Sequence, residues 1–275
     1  MMSSAALPAS ARINSRIEGV QIGAQSYSFR DRPLDAMISA MVEVGLGECE
    51  LWQGHVEPRS KWSDRRNELR EWRTTVSLDH FREIRRKFDN AGIQLSAYNY
   101  SFRDDFTDKE IERGFEMAKA LGVNALTASS TVSVTRRVAP IAAKHRRMVG
   151  MHGHDNLTDP NEFARPESFE TAMRESRWIG LNLDIGHFTA AGYDPLPFLE
   201  KYHSRTVTVH IKDRKKNQGP NMPWGQGDTP LRATLELLKN RRWGIPANIE
   251  YAYKGSDTVA EVKKCYAYCK GVLED

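Results

Sequence analysis

The sequence predicts a single (β/α)8 barrel, an α/β fold, and two observations support that prediction. Eight short apolar segments with the composition of strands recur near residues 19–27, 46–52, 93–99, 123–129, 147–152, 179–184, 205–211 and 246–251. Helical patterns separate them, and strict alternation of strands and helices indicates a parallel sheet. Eight such pairs within 275 residues are typical of one closed barrel.

The helices are identified by apolar residues at helical spacing and by residues that begin helices. The spacing predicts helices over 77–91 and 257–273. Two capping boxes and two prolines that follow an N-cap residue predict further helix starts, at Thr107 with Glu110, Thr258 with Glu261, Asp159-Pro160 and Thr229-Pro230. The segment 53–76, rich in arginine and tryptophan, is too long for a tight connection and is predicted to form a lid or a wall of the barrel mouth.

The sequence predicts one domain that is preceded by a short leader. No linker or change of composition divides residues 17–275, which we assign to the barrel as the catalytic domain. Residues 1–16 are small and polar without helical or strand periodicity, and we expect a disordered leader there. This segment lacks a long apolar run and a twin arginine, so no intact signal peptide is expected. A trimmed export signal stays open, and with it a periplasmic as well as a cytoplasmic location.

Composition excludes several functional classes. No apolar stretch approaches the roughly 18 residues of a membrane span, so we expect no membrane partner. The net charge of +4 is mild for a nucleic-acid-binding protein, and no nucleic-acid partner is expected. The three cysteines, Cys49, Cys265 and Cys269, form no spacing typical of a metal site or a disulfide framework.

Four predicted strands in the second half each end on a residue type that binds metals. These residues are His152, Asp184, His210 and Glu250, separated by 32, 26 and 40 residues. In a parallel barrel such positions converge at the C-terminal mouth, where these barrels keep their chemistry. Two carboxylates and two imidazoles suit one divalent ion such as Mn, Zn, Co or Fe better than Mg. The sequence therefore predicts a metal site.

Further candidates for substrate binding surround that site. Alternation along the second strand places Glu50 and Trp52 on one face, with His55 just beyond. We predict Glu50 near the site and Trp52 as a platform for a sugar ring, although an interior ion pair and a packed tryptophan also explain them. After the seventh strand, Arg214 is expected to line the mouth, and Trp224 begins a glycine-containing loop that would hold a sugar or an anion.

A pentapeptide, Tyr-Ser-Phe-Arg-Asp, occurs at residues 27–31 and again at 100–104, each time just past a predicted strand. One interpretation is that two loops carrying an aromatic ring and an arginine face each other over the mouth. Coincidence or an old symmetry between barrel halves would also explain the repeat.

The strand-end motifs carry a resemblance to a known family. Asp184-Ile-Gly-His187, His210-Ile-Lys-Asp213 and Glu250-Tyr251 resemble the xylose isomerase-like barrel superfamily, from about residue 20 onward. That group includes sugar isomerases and epimerases, inosose dehydratases and endonuclease IV. The resemblance implies a mononuclear site of Glu, Asp, His and Glu, and Asp184, His210 and Glu250 match its last three ligands.

The first ligand departs from the family pattern. His152-Gly-His154 stands where epimerase-like members resemble Glu-Asn-His, so His152 occupies the glutamate position and His154 the following histidine. Two glutamates are thought to act as paired bases in those epimerases. An imidazole in place of one of them keeps a ligand but favours a distinct acid and base, since a histidine donates a proton at neutral pH more readily than a carboxylate.

The resemblance implies a metal-dependent sugar isomerase or epimerase that acts on a keto-sugar or related polyol. Proton transfer through a metal-stabilised enediolate would be the reaction. Glu250 or His154 would take the proton, Lys212 would steady the oxyanion or simply pair with Asp213, and His187 would bind substrate. A small carbohydrate is the expected partner, and a homo-oligomer stays open.

Three alternatives are weighed against this expectation. A lyase, dehydratase or enzyme that cleaves keto-glycosides would use the same carbanion, and His152-Gly-His154 resembles dehydratase-like members. Endonuclease IV uses three zinc ions, but the loop 217–224 and the strands near 93–99 and 123–129 contain none of the extra histidines. A sugar-binding barrel without activity would predict decayed ligands, whereas all four strand-end residues can still bind a metal.

Overall fold

The computed structural model describes residues 11–58 and 65–275, which form a closed barrel of parallel strands. Each strand pairs with the next along the chain, and the second also pairs with the last, which closes the sheet. The prediction of a single (β/α)8 barrel is confirmed, as are all eight predicted strands. The strands are β1 (Arg16–Ile17), β2 (Val20–Gln25), β3 (Glu48–Trp52), β4 (Gln94–Asn99), β5 (Ala125–Ala128), β6 (Met148–His152), β7 (Ile179–Asp184), β8 (Thr206–Ile211) and β9 (Ala247–Ile249), and β2 to β9 make the barrel.

Helices between the strands cover the barrel and bury its outer apolar face. Those predicted over 77–91 and 257–273 are confirmed as α3 and α10. The helices are α1 (Leu34–Val44), α2 (Arg65–Thr75), α3 (Leu78–Asn90), α4 (Asp108–Ala120), α5 (Thr135–His145), α6 (Pro166–Glu175), α7 (Ile185–Ala190), α8 (Pro195–Tyr202), α9 (Leu231–Arg241) and α10 (Thr258–Glu274). None of the helices in the described ranges is long and apolar enough to span a membrane.

The two predicted capping boxes have different outcomes. The box at α4 is confirmed: Thr107 Oγ1 accepts from the Glu110 backbone N–H, and Glu110 Oε2 accepts from the Thr107 backbone N–H. The box predicted at Thr258 is wrong. Asp257 caps α10 instead, because its carboxylate accepts from the backbone N–H of Ala260 at 3.0 Å.

Both helix starts predicted from proline are misplaced. No helix begins at Asp159 in the described structure. Helix α6 begins at Pro166, after an irregular segment that turns back on itself so that the His154 backbone N–H donates to the Phe163 carbonyl. Near α9, Pro230 itself is the capping position, and Thr229 does not cap the helix. The Thr229 hydroxyl accepts from the backbone N–H of Arg214 at 3.0 Å, which ties the preceding loop together.

The N-terminal end of the barrel is closed by the segment before β2. Strand β1 pairs antiparallel with β2, and Ser15 Oγ donates to the Ile22 carbonyl at 2.6 Å. The Ile13 backbone N–H donates to the Gly92 carbonyl at 2.9 Å. Of the leader predicted over 1–16, residues 1–10 lie outside the described residues, whereas Ile13 to Arg16 contact the barrel.

Polar side chains lie inside the barrel as well as apolar ones. Glu48 and Glu50 of β3 point inward and are buried, as alternation predicts. Cys49, Cys265 and Cys269 are buried free thiols. In the predicted lid segment 53–76, residues 59–64 lie outside the described residues, while Gln53 and Arg65 line the cavity at the mouth.

Candidate active site

The four strand-end residues meet at the C-terminal mouth. His152 ends β6, Asp184 ends β7, His210 lies in β8, and Glu250 follows β9. Parallel pairing places Asp184 directly opposite His210. Each of the four residues is buried, and each offers one ligand atom that lies within 4.8 Å of the others. The barrel thus gathers residues that are up to 98 positions apart in the sequence into one cluster.

The donor set fits a divalent ion. Burial lowers the pKa of His152 well below its usual value, so its imidazole is neutral, as a ligand must be. Its Nδ1 atom is buried and has no hydrogen-bond partner among the described residues. An unpartnered buried nitrogen beside two carboxylates is costly unless a ligand completes the site. His152, Asp184, His210 and Glu250 would together hold the ion.

His210 is held between two carboxylates. Its Nδ1 atom lies 2.8 Å from Glu250 Oε2, and its Nε2 atom lies 2.6 Å from Glu50 Oε2. Burial alone would lower the pKa of His210, but the charge of Glu50 and the bonds to both carboxylates raise it to about 10. At that pKa both ring nitrogens carry a proton at neutral pH, so a divalent ion would bind His210 by replacing the Nδ1 proton. The Glu50 carboxylate at Nε2 would then fix the orientation of the imidazole.

Glu50 therefore lies beneath the cluster and supports it. Besides His210, its carboxylate accepts hydrogen bonds from Thr127 Oγ1 at 2.5 Å and from Asn182 Nδ2 at 3.3 Å. It is fully buried and does not line the cavity. The structure places Glu50 near the site as predicted, but behind the histidine and out of reach of a substrate.

Lys212 bridges the two carboxylates of the cluster. Its Nζ atom lies 2.8 Å from Glu250 Oε1 and 3.2 Å from Asp184 Oδ2. Burial would lower the pKa of Lys212, but these carboxylates raise it. Conversely, although burial would raise the pKa of Glu250, Lys212 and His210 hold it well below the usual range. The alternative pairing with Asp213 is not observed, since Asp213 instead accepts from the backbone of the 225–229 loop.

Two histidines above the cluster are each paired with an acidic residue. His154 Nδ1 lies 2.6 Å from Glu162 Oε1, and His187 Nδ1 lies 3.0 Å from Asp155 Oδ1. Lys212 Nζ donates to His187 Nε2 at 3.0 Å. Arg214 Nη1 lies 2.6 Å from His187 Nδ1, so a cationic donor faces each ring nitrogen of this histidine. Burial and the charge of Lys212 lower the pKa of His187.

The two acidic partners were missed by the sequence analysis. Asp155 directly follows His154 in the sequence, which is a signal that could have been noticed. Glu162 had no such signal, since it lies in an irregular loop. That loop folds back so that the His154 backbone N–H donates to the Phe163 carbonyl at 3.0 Å, which brings Glu162 to the imidazole.

A cavity of about 590 Å³ opens above the cluster. Trp52 lies in its wall, with its ring edge-to-face against Tyr27 at 5.0 Å between centroids. His152, His154, His187, His210, Lys212 and Glu250 are also in the lining. The cavity thus joins the buried cluster to groups that can bind or protonate a ligand.

Besides Glu50, three predicted substrate-binding residues do not line this cavity. His55 stands behind Trp52, with Nδ1 3.0 Å from Ser26 Oγ. Arg214 pairs with Asp155 at 2.7 Å and so supports His187 from behind. Trp224 points away from the mouth and packs on Tyr268, with ring centroids 5.9 Å apart. Its loop turns outward because Asp213 gathers the backbone N–H groups of Gly225 and Gly227.

The protein is a (β/α)8 barrel in which polar side chains from the ends of several strands surround the C-terminal mouth, and these two features define a class of barrel proteins. Within that class, the model of the family Xylose isomerase-like TIM barrel matches residues 40–267, so the chain belongs to this family. The family expected from the motifs is confirmed.

Individual relatives are enzymes that act on sugars or related compounds. The chain is 32% identical to L-ribulose-5-phosphate 3-epimerase UlaE of Escherichia coli over 94 residues, which is 34% of this chain and 33% of that one. The match thus spans about a third of that relative's length.

Two solved structures resemble nearly the whole chain. The apo form of 3-keto-D-glucoside 4-epimerase YcjR from E. coli has a TM-score of 0.67 at 14% identity, covering 92% of this chain and 99% of that one. The probable 3-DHS dehydratase AsbF from Bacillus anthracis has a TM-score of 0.67 at 15% identity, covering 93% and 99%. At these identities the likeness concerns the fold.

Proposed function

We propose that this protein is a divalent-metal-dependent enzyme that isomerises or epimerises a keto-sugar or a related polyol. The observation that carries the proposal is the cluster of four ligand-type side chains at the floor of a polar cavity that also contains proton-transfer groups. Membership of a family with sugar epimerases among its relatives supports the substrate class.

The bound ion would be held by His152, Asp184, His210 and Glu250. When bound, a divalent ion polarises a substrate carbonyl and so acidifies the adjacent C–H bond. Mn, Zn, Co and Fe remain the candidates for this mixed nitrogen and oxygen donor set. The remaining steps belong to the side chains of the chain itself.

Two groups are suited to move the proton. Glu250 is kept anionic by Lys212 and His210, so it can accept a proton from carbon. His154 is about one-third exposed in the same cavity, and Glu162 orients its imidazole. The carboxylate of Glu250 would then act as the base, and the imidazole of His154 would act as the acid at the second site of proton transfer.

Lys212 would stabilise negative charge on the substrate oxygen. It lines the cavity, is buried, and carries a positive charge that two carboxylates reinforce. A preorganised cation in a site of low dielectric stabilises a developing oxyanion more than water does. His187, which accepts from Lys212, would fix the direction of the ammonium group.

Elimination is the second candidate function. The pair His154 and Glu162 favours it, because an imidazole can donate a proton to a departing oxygen and is here held in one orientation by a carboxylate. The similarity in fold to a probable dehydratase agrees with elimination as a candidate function. The two functions differ in whether the carbanion is reprotonated or expels a neighbouring oxygen.

Proton NMR in D2O tests the proposal. Keto-pentoses, keto-hexoses, an inosose and a 3-keto-glucoside would be incubated with manganese-loaded and with chelator-treated protein. Metal-dependent entry of deuterium next to the carbonyl, with all oxygens retained, is the expected result. Loss of water or of an aglycone would transfer the assignment to the lyase. If no substrate exchanged deuterium beyond the rate seen with Asp184→Asn, the proton-transfer proposal would be abandoned.

A further inference from the structure

We propose that Arg30 and Arg103 form an anion subsite at the mouth, so that the substrate carries a phosphate or carboxylate group remote from its reacting carbonyl. Only the catalytic consequence of this inference rests on the proposed function. The binding of an anion by the two arginines stands on its own contacts and charges.

The repeated pentapeptide places these arginines. Arg30 lies in the copy that follows β2, and Arg103 in the copy that follows β4. Strand β3 lies between them in the barrel, so the two loops flank the C-terminal end of β3, where Trp52 lies. Both arginines line the same cavity as Glu250 and Lys212. The repeat thus supplies two cationic side chains to the open end of the site.

Neither arginine is in contact with a carboxylate, although the charge of Arg103 contributes to the lowered pKa of nearby Glu162. Within residues 11–58 and 65–275, no carboxylate lies within 4.0 Å of the guanidinium group of Arg30 or Arg103. Both side chains are exposed at the open end of the cavity, unlike the buried Arg73, which lies 2.7 Å from Glu57. An unpaired arginine beside a cavity is a ready partner for an anionic ligand, since its planar fork matches carboxylate and phosphate oxygens.

The acidic groups at the cavity already have other partners, since Glu162 lies 2.6 Å from His154 Nδ1. Among the described residues that line the cavity, Glu250 is the one acidic residue. Lys212 contacts its Oε1 atom and His210 contacts its Oε2 atom. Arg65 adds a third guanidinium group to the rim. Low-dielectric walls concentrate the field of such a one-signed rim and attract ligands of opposite sign.

Arg30 is held in position before any ligand arrives. Its guanidinium group lies 4.7 Å from the centroid of the Tyr27 ring, and Nη1 donates to the Tyr251 carbonyl at 3.1 Å. Stacking uses the face of the group and leaves most of its five N–H donors for a ligand. A preorganised donor loses less side-chain entropy on binding, which favours a specific subsite over a diffuse surface charge.

The binding test uses inorganic phosphate and glycolate with the full chain, titrated by calorimetry at constant ionic strength. Wild type, Arg30→Gln, Arg103→Gln and the surface control Arg82→Gln would be compared, each with and without manganese. We expect each mouth substitution to weaken phosphate binding by about tenfold or more, as for the loss of a charged hydrogen bond, and R82Q to leave it unchanged. Lysine at position 30 or 103 should restore part of the affinity.

The titration decides the inference independently of activity. Phosphate affinity that is the same in R30Q, R103Q and R82Q would overturn it, because any remaining binding would belong to the metal or to general charge. Stronger loss for phosphate than for glycolate would assign the subsite to a phosphate ester; the reverse would assign it to a sugar acid.

A kinetic comparison adds the catalytic consequence. A ketose, its terminal phosphate ester and the uronate of the same skeleton would be assayed by deuterium exchange. We expect an anionic substrate to have a KM at least about tenfold below that of the neutral ketose, and R103Q to remove that difference while kcat changes little. Preference for the neutral ketose would overturn the assignment of the substrate class. Phosphate binding without exchange on any substrate would instead contradict only the proposed function.

Discussion

Glu48 and Glu50 lie two residues apart on β3, and both are buried inside the barrel, yet their surroundings differ. Glu50 lies in the layer of the metal-type cluster, where His210 Nε2 is 2.6 Å away. Glu48 lies one layer deeper, and no cationic group within the described residues is in salt-bridge distance of it. Burial raises the pKa of Glu48 to about 8, so it is neutral at pH 7.

This difference shows where the barrel can hold charge. A buried carboxylate stays ionised only where cations or hydrogen-bond donors compensate the loss of water. The upper layer supplies His210 and Lys212. In the deeper layer the described residues place amides and hydroxyls such as Asn248 and Thr208, with no cation in salt-bridge distance of Glu48. Chemistry that needs anionic ligands is thereby confined to the C-terminal mouth.

The largest effect is expected from Asp184→Asn in the upper layer. The change removes an anionic ligand, and we expect the rate of deuterium exchange to fall by about a thousandfold or more. Bound manganese after dialysis should fall with it. Asp184 also accepts from the His187 backbone N–H at 2.7 Å as the N-cap of α7, a role that asparagine can keep. Full activity in D184N would show that the cluster is not the catalytic site.

Glu48→Gln tests the deeper layer through the pH dependence of stability. The pKa of Glu48 is about 8 in the folded chain, against an ordinary value of 4.5. The folded state therefore binds the extra proton, and the free energy of unfolding of wild type falls as pH rises toward 8. E48Q has no carboxyl group to titrate at this position, so its free energy of unfolding does not fall in this way. The free energy of unfolding of E48Q minus that of wild type should therefore increase by about 3 kcal/mol from pH 5.5 to 8.5.

Urea unfolding of both proteins at the two pH values measures this change. Glu83→Gln on the exposed face of α3 serves as the control and should show no comparable difference. A constant difference between E48Q and wild type over this range would mean that Glu48 is ionised in the folded protein.

Glu50→Gln should weaken metal binding without abolishing it. Loss of the carboxylate behind His210 Nε2 removes the group that orients the imidazole, and such changes lower metal affinity by about 10- to 100-fold. Competition with a chelating dye measures the affinity. E48Q, two residues away on the same strand, is the matched comparison and should bind metal as wild type does. Equal effects of the two substitutions would contradict the distinction between the layers.

The smallest effect is expected at the solvent-facing edge of the mouth. Glu162→Gln keeps a hydrogen bond to His154 but removes the charge, and we expect kcat to fall by about tenfold or less because His154 is partly exposed. The ratio of reprotonation to elimination, read from the same NMR spectra, should change as well. Metal affinity should not change, and a loss of bound metal in E162Q would assign Glu162 to the cluster instead.

Much of the fold was predictable because it depends on local patterns. Strand and helix periodicity located every barrel strand, and the Thr107–Glu110 capping box was correct. The two errors at helix starts have different causes. At α10 a competing local signal prevails, because Asp257, one residue before Thr258, caps the helix through the Ala260 backbone N–H. Near α9 a tertiary contact prevails, because the Thr229 hydroxyl accepts from the Arg214 backbone N–H instead of capping the helix.

The sequence by itself determined which residues end the strands, since a parallel barrel brings every strand end to one mouth. Only the tertiary structure decided what those residues touch. Glu50 meets His210 across 160 residues, Glu162 reaches His154 through a loop of no regular pattern, and Trp224 faces away from the mouth. The tertiary structure also decides which groups are ionised. The pKa values of Glu48 and His210 depend on burial and on neighbouring residues that come together only in the closed barrel.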